Sequence, residues 1–164
     1  MAGRFRVVDT GVLEGRFNIA IDQAMIEAHQ AGRIPDTFRF MRFPPTALIG
    51  RHQALRQEVD VDHCRAHGIG IVRRITGGGA IYLDEGQLGW GLVFHRKALS
   101  ATCLAGLASD ICEAVAAGLR RLGVDARYRP RNDIEVDGRK ISGTGGFFDS
   151  DTLIYQGTVL VDMN

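Results

Sequence analysis

Three consecutive glycines, Gly77 to Gly79, follow the strand-like Gly70-Ile71-Val72 and the basic pair Arg73-Arg74. Glycine loses more backbone freedom on folding than any other residue, so such a run is a poor interior for a helix or a strand. The run has to be a connection, kept where φ must be positive or where something lies against bare backbone. A β-bulge or tight hairpin is the purely structural alternative. A chain that leaves a sheet here would present N–H groups beside guanidinium forks, which suits phosphate or carboxylate. If the two arginines alternate along the strand, only one faces that ligand. Arg74, nearer the loop, is the expected one.

The segments around the run set the fold class. Residues 5–9 read as a strand, Gly11 to Gly15 as a turn, and Phe17 to Ala31 as a helix stopped at Gly32. Phe38 to Phe43 and Thr46 to Gly50 read as strands around Pro44-Pro45, and Val61 to His67 as a short helix ended by Gly68. Ala80 to Leu83 and Leu88 to Phe94 are strand-like. Thr102 to Leu122 carries a stripe of Leu104, Leu107, Ala108, Ile111, Val115, Leu119 and Leu122 with a 3.6-residue period, stopped by Gly123. Short strands are expected over Val124–Tyr128, Asp133–Val136 and Arg139–Ser142, and a last one over Leu153–Val161. Asp137-Gly138 is a hairpin turn signal. Strands that do not alternate regularly with helices predict an α+β fold, with a mixed, mainly antiparallel β-sheet flanked by a few helices, in one domain over 1–164. No Gly-x-Gly-x-x-Gly opens a helix after the first strand, and no P-loop is present.

The formal net charge of +1 provides no basic field for nucleic acid. Basic residues concentrate locally, at Arg65, Arg73 and Arg74 and at Arg127, Arg129 and Arg131, which fits a small anionic ligand. The N-terminus lacks a secretory apolar region, and no segment approaches the ~20 apolar residues of a membrane span. The three cysteines, Cys64, Cys103 and Cys112, form no Cys-x-x-Cys pair. A cytoplasmic protein with free thiols, binding neither membrane nor nucleic acid, is the expectation.

A second constellation is Arg131-Asn132-Asp133, followed after one hairpin by Arg139-Lys140-Ile141-Ser142-Gly143. An Asp beside an Asn can hold a divalent cation and leave coordination sites for phosphate. Lys140 can return across the hairpin and add a point charge. The alternative is a turn capped by Asn132 and Asp133 with Lys140 in solvent. Together with the glycine loop, these are the parts of a site that works on nucleotide phosphate by position and charge. His63 and His67, at i and i+4, have no third ligand nearby and read as a polar helix face. Cys103 and Cys112 read as core fillers.

These residues together resemble the lipoate–protein ligase family, within the biotin/lipoate ligase catalytic-domain superfamily. Ile49-Gly50-Arg51-His52-Gln53 is similar to the family's Ile-Gly-Arg-x-Gln, and Arg73 to Tyr82 to its Arg-Arg-x-Ser/Thr-Gly-Gly-Gly-Ala-Val-Phe/Tyr signature. Arg131 to Ile134, Arg139 to Gly143 and Gln156-Gly157-Thr158-Val159-Leu160 resemble three further motifs in order. The resemblance implies that lipoate (or octanoate) and Mg-ATP give an acyl-adenylate, whose acyl group then passes to a lysine of an acceptor domain. It assigns Lys140 to both the acyl carboxylate and the α-phosphate. Arg74, Gly77, Gly78, Gly79, Ala80, Ile81, Tyr82 and Asn132 would meet the nucleotide, and Asp133 would hold Mg²⁺. Gly77, Gly78, Leu83, Lys140 and Gly143 would meet lipoate, the missing side chains of Gly77 and Gly78 leaving room for the acyl chain. The implied partner is the lipoyl domain of a 2-oxoacid dehydrogenase or a glycine-cleavage-type protein.

The chain departs from the family pattern at several places. Leu83 stands where the ligases have His, and Gln87 where they have Asn. Gly145-Gly146 and Tyr155-Gln156 replace Ser-Ala-x and His-His or Gln-His. Family members continue beyond the last matched strand with helices and, in many, an accessory domain, so a truncated chain or a small accessory subunit is expected. The rival of the same fold is an octanoyl- or lipoyl-transferase, which uses a cysteine nucleophile without ATP. No cysteine lies between Val124 and Arg131, where the resemblance would put it. A biotin ligase fits less well at Lys140 and the Arg-Asn-Asp motif. A non-catalytic subunit that binds lipoyl-adenylate or an acceptor domain is the reading from another class.

Overall fold

A computed structural model describes residues 5–98 and 104–163. Ten strands and four helices follow in the order β1 (Arg6–Val12), α1 (Gly15–Gln30), β2 (Thr37–Arg42), β3 (Thr46–Ile49), α2 (Leu55–Glu58), α3 (Val61–Ala66), β4 (Gly70–Arg73), β5 (Ile81–Leu83), β6 (Gln87–His95), α4 (Leu104–Arg121), β7 (Arg127–Arg129), β8 (Asp133–Val136), β9 (Arg139–Asp149) and β10 (Thr152–Leu160). A seven-stranded sheet has the order β1-β2-β6-β10-β9-β8-β7, and a three-stranded sheet the order β4-β3-β5. The pairs β1–β2 and β3–β4 are parallel and the others antiparallel. This is the α+β class expected.

The glycine stops act as the sequence predicts. After α1, α3 and α4 the chain turns through Gly32, Gly68 and Gly123 with φ of 66°, 68° and 87°. Arg33, Ile69 and Val124 then donate back to the carbonyls of Ala28, Cys64 and Leu119. That is the bond of a Schellman cap, which satisfies carbonyls the helix leaves open. The stripe on α4 is buried at Leu107 and Ala108, but Leu122 falls past the helix end and is 79% exposed. Cys103 lies outside the described residues.

The large sheet is covered on both faces. Val93 of β6 and Ile154 of β10 pack against Met25 and Ile26 of α1. Their neighbours Trp90, Phe94, Leu153 and Tyr155 point the other way and pack against Leu107 and Ala108 of α4, as the period-two alternation of a strand requires. Among the described residues no helix is long and apolar enough to cross a membrane.

Several boundaries differ from expectation. β1 runs through Gly11 to Val12 across a register break after Asp9, where a turn was predicted. β9 continues to Asp149, well past Ser142, because its Gly-rich half pairs with β10. The two strands around Pro44-Pro45 lie in different sheets.

Candidate active site

A cavity of about 650 Å³ lies between the small sheet, the loop that follows β4, and the middle strands of the large sheet. Its wall includes Arg74, Gly77, Gly78, Gly79, Ala80, Ile81, Tyr82, Leu83, Asn132, Lys140 and Gly143, so the two constellations read from the sequence meet in one place. Asp133 is the exception: it stands behind Lys140 and is not part of the wall.

The two arginines before the loop separate as expected, but neither points freely at a ligand. Arg73 donates to the carbonyls of Gly50, Arg51 and Gln53. Arg74 donates to those of Leu48, Gly77 and Gly79, so its guanidinium holds the loop in shape from inside the cavity wall. Burial lowers its pKa, yet an arginine stays cationic at any ordinary pH. The segment from Ile49 to Gln53 is the loop's scaffold. Gly50 donates to the Gln53 side chain at 2.8 Å, and a Cβ on Gly50 would sit 2.0 Å from the Gly78 carbonyl oxygen.

The glycines of the wall divide into two kinds. Gly78 has φ of 97°, and a Cβ there would meet the Arg74 guanidinium at 2.8 Å. Its positive φ and its contact with Arg74 tie it to the loop's own geometry. At Gly143 a Cβ would press on the end of the Lys140 side chain, and at Gly157 on Trp90. Of the wall glycines, Gly77, Gly79 and Gly145 have open space where a Cβ would stand. There a ligand can reach bare backbone.

Lys140 owes its direction to one extra residue. Asp133 pairs with Gly143, Ile134 with Ser142 and Glu135 with Lys140, so Ile134 and Glu135 oppose three residues of β9, and Ile141 is the unpaired one. Directly opposed residues share a face, so the bulge turns Lys140 onto the face of Asp133 and Gly143. The hairpin before it closes through Asp137 and Gly138 with φ of 50° and 73°, the left-handed pair a two-residue turn needs. Lys140 Nζ then lies 2.7 Å from Asp133 Oδ1, and Arg129 lies 2.6 Å from Oδ2. Desolvation pushes the Asp133 carboxyl up, but the hydrogen bonds and charges of Lys140 and Arg129 outweigh it and hold its pKa below the usual value.

Asn132 is held by Thr144 in a reciprocal pair. Its amide donates to the Thr144 carbonyl, while Thr144 donates from both its N–H and its Oγ1 to the Asn132 carbonyl. Thr144 Oγ1 also lies 2.8 Å from the buried Tyr155 hydroxyl.

A second polar network was missed by the sequence reading. Asp22 of α1 lines the cavity with its carboxylate 2.7 Å from Arg39, and both side chains are buried. Gln156 donates to the other Asp22 oxygen, and Thr76, one residue before the glycines, donates to Gln156 at 3.4 Å. Burial pushes the Asp22 carboxyl up to about 6, against the opposing pull of Arg39. Its one signal was a carboxylate at a position that must be buried for α1 to pack.

The described residues contain no cluster of three or more His, Cys, Asp or Glu able to hold a metal. Asp133 alone offers one carboxylate, which is what Mg²⁺ takes from a protein when phosphates supply most other ligands. Both Asp133 oxygens are paired, with Lys140 and Arg129, so the residues would fit such an ion only where nucleotide phosphate draws Lys140 away. Cys64 is buried on α3 and Cys112 on α4, and neither lines the cavity. His63 and His67 stack at 4.0 Å on α3.

Two sheets, a glycine loop and a hairpin lysine close on one cavity. The chain belongs to the lipoyl protein ligase A/B catalytic domain family, whose model matches residues 14–164. It is 32% identical over 187 residues to octanoyltransferase LipM of Symbiobacterium thermophilum, covering 100% of this chain and 68% of that protein. It superposes with a TM-score of 0.87 and 28% identity on a bipartite lipoate protein ligase of Thermoplasma acidophilum, solved in work on an archaeal lipoylation system with its E2 lipoyl domain. That match covers 99% of this chain and 63% of the other. A lipoate-protein ligase A bound with ATP is similar at a TM-score of 0.86 and 30% identity, over 100% of this chain and 68% of that one. The chain spans about half to two thirds of the length of the curated relatives it matches.

Proposed function

We propose that this chain is the catalytic domain of an ATP-dependent lipoate–protein ligase acting on lipoate or octanoate. The observation that carries the reading is a lysine in the cavity wall, Lys140, with no thiol lining that wall among the described residues. Likeness to the ATP-bound ligase and to the bipartite ligase supports it. In the first half-reaction a carboxylate oxygen of the acid attacks the α-phosphorus of ATP, and the bond to pyrophosphate breaks. Lys140 would lie against both groups, countering their mutual repulsion and the charge that develops on the α-phosphate. Backbone at Gly77 and Gly79, with Ala80, Ile81, Tyr82 and Asn132, would bind the nucleotide. Leu83, with the apolar side chains around it, would take the acyl chain. Asp133 would hold Mg²⁺, which supplies charge neutralisation to the phosphates. In the second half-reaction the acceptor lysine attacks the acyl carbon and AMP leaves. The acceptor in this reading is a lipoyl domain, and a small accessory subunit completes the enzyme.

The second reading is an octanoyltransferase, favoured by the LipM relative. Incubating the protein with an apo lipoyl domain and either ATP, Mg²⁺ and lipoate, or an octanoyl-loaded carrier protein, separates the two. The ligase reading predicts acceptor mass gain with ATP and pyrophosphate release. Mass gain from the carrier alone would replace it with the transferase. Acid binding without either product, even with an accessory subunit added, would leave a non-catalytic subunit.

A further inference from the structure

Arg129 stands outside the cavity wall, yet it touches the group that holds Lys140. It ends the three-residue edge strand β7 and sits directly opposite Asp133 in register. One guanidinium nitrogen lies 2.6 Å from Asp133 Oδ2, and the other lies 3.5 Å from Glu135 Oε2. Glu135 is in turn the register partner of Lys140. Arg129, Asp133, Glu135 and Lys140 thus share one face of the sheet, and Asp133 divides its two oxygens between two cations.

We infer that Arg129 is a positioning residue that keeps Lys140 available to an incoming anion. This rests on the reading that Lys140 meets the acyl carboxylate. A carboxylate with no second partner is free to turn either oxygen, with its full charge, toward Lys140, and such charge-assisted hydrogen bonds are the strong ones. By taking Oδ2, Arg129 leaves Lys140 with one oxygen and half of the charge, so the ammonium keeps N–H donors for a ligand. An arginine suits the task because its planar fork reaches Asp133 and Glu135 at once. Without Arg129 the whole of Asp133 would compete with the acid for Lys140. Arg129 touches no reacting atom and acts only through Asp133.

The test is a binding cycle with the protein, no nucleotide and no metal, in which calorimetry reads the affinity for lipoate. Arg129→Met is expected to weaken binding roughly three- to tenfold, the range of a charge-assisted contact at a half-exposed site. The loss should vanish in an Asp133→Asn background and be partly restored by Arg129→Lys. A loss of the same size in the Asp133→Asn background would mean that Arg129 acts through packing, and would overturn the inference. Unchanged affinity in Arg129→Met, with binding weakened by Lys140→Ala, would overturn it and leave the role of Lys140 standing. Lipoate affinity unchanged by Lys140→Ala would remove both. Thermal melting should not distinguish Arg129→Met from the parent, since an exposed ion pair adds little to stability.

Discussion

Lys140 and Asp133 face each other at 2.7 Å because Ile141 is one residue too many for the ladder between β8 and β9. In a regular strand Lys140 would lie on the face of Ser142 and Thr144. The bulge reverses that parity, and Gly143 leaves the space into which the lysine lies.

Deleting Ile141 should therefore abolish acylation as completely as Lys140→Ala, because restoring the ladder turns Lys140 away from Asp133. Circular dichroism should still report the sheet, since the β9–β10 pairing beyond Gly143 is untouched. Activity retained after the deletion would mean that the bulge does not aim the lysine.

Two glycine substitutions should fail in different ways. Gly78→Ala forces a Cβ into a left-handed residue against Arg74 and should cost about 1–3 kcal/mol of stability, seen as a lower Tm. Gly145→Ala meets open space and should leave Tm unchanged while raising KM for the acyl substrate.

Asp22 should titrate near pH 6, measurable from its carboxyl carbon by NMR. A folded pKa above the ordinary 3.8 means the folded state holds an extra proton between the two values. The contribution of this group to stability is thus greatest below about pH 4 and is lost as the pH rises through about 6, a change on the order of 3 kcal/mol. Asp133 has the opposite sign. Its lowered pKa contributes stability above the ordinary carboxylate value, and that contribution is lost as the pH falls below it. In Asp22→Asn the decline toward pH 6 should disappear from denaturant titrations.

Thr144→Val keeps the shape but removes the hydroxyl between Tyr155 and Asn132. Leaving the buried Tyr155 hydroxyl short of a bond should cost about 1–3 kcal/mol. Loosening Asn132 should lower kcat more than it raises KM for the acid. Thr144→Ser should recover both, and equal losses in kcat for Ser and Val would argue against the hydroxyl.

What the sequence made legible was local. Gly32, Gly68 and Gly123 end helices because a left-handed residue is needed at each stop, and Asp137-Gly138 closes its hairpin for the same reason. The glycine loop and Lys140 were readable because few residue types do what they do. Relations across the chain were not. Pro44-Pro45 marks a turn but not a change of sheet. The bulge at Ile141 exists only in the pairing of β9 with β8. Asp22 and Gln156 meet across 134 residues, and nothing near either one announces the other. Asp133 was legible as a candidate metal ligand, but its place behind Lys140 depends on Arg129 and on that same bulge.

The central claim is that Lys140 activates an acyl acid with ATP. The most direct test mixes the protein with lipoate, ATP and Mg²⁺, without acceptor, and follows pyrophosphate and lipoyl-adenylate by mass spectrometry in a single turnover. One adenylate and one pyrophosphate per active site are expected, with a rate at least about 100-fold lower in Lys140→Ala. Acceptor acylation from a carrier protein, with no adenylate formed under any of these conditions, would contradict it.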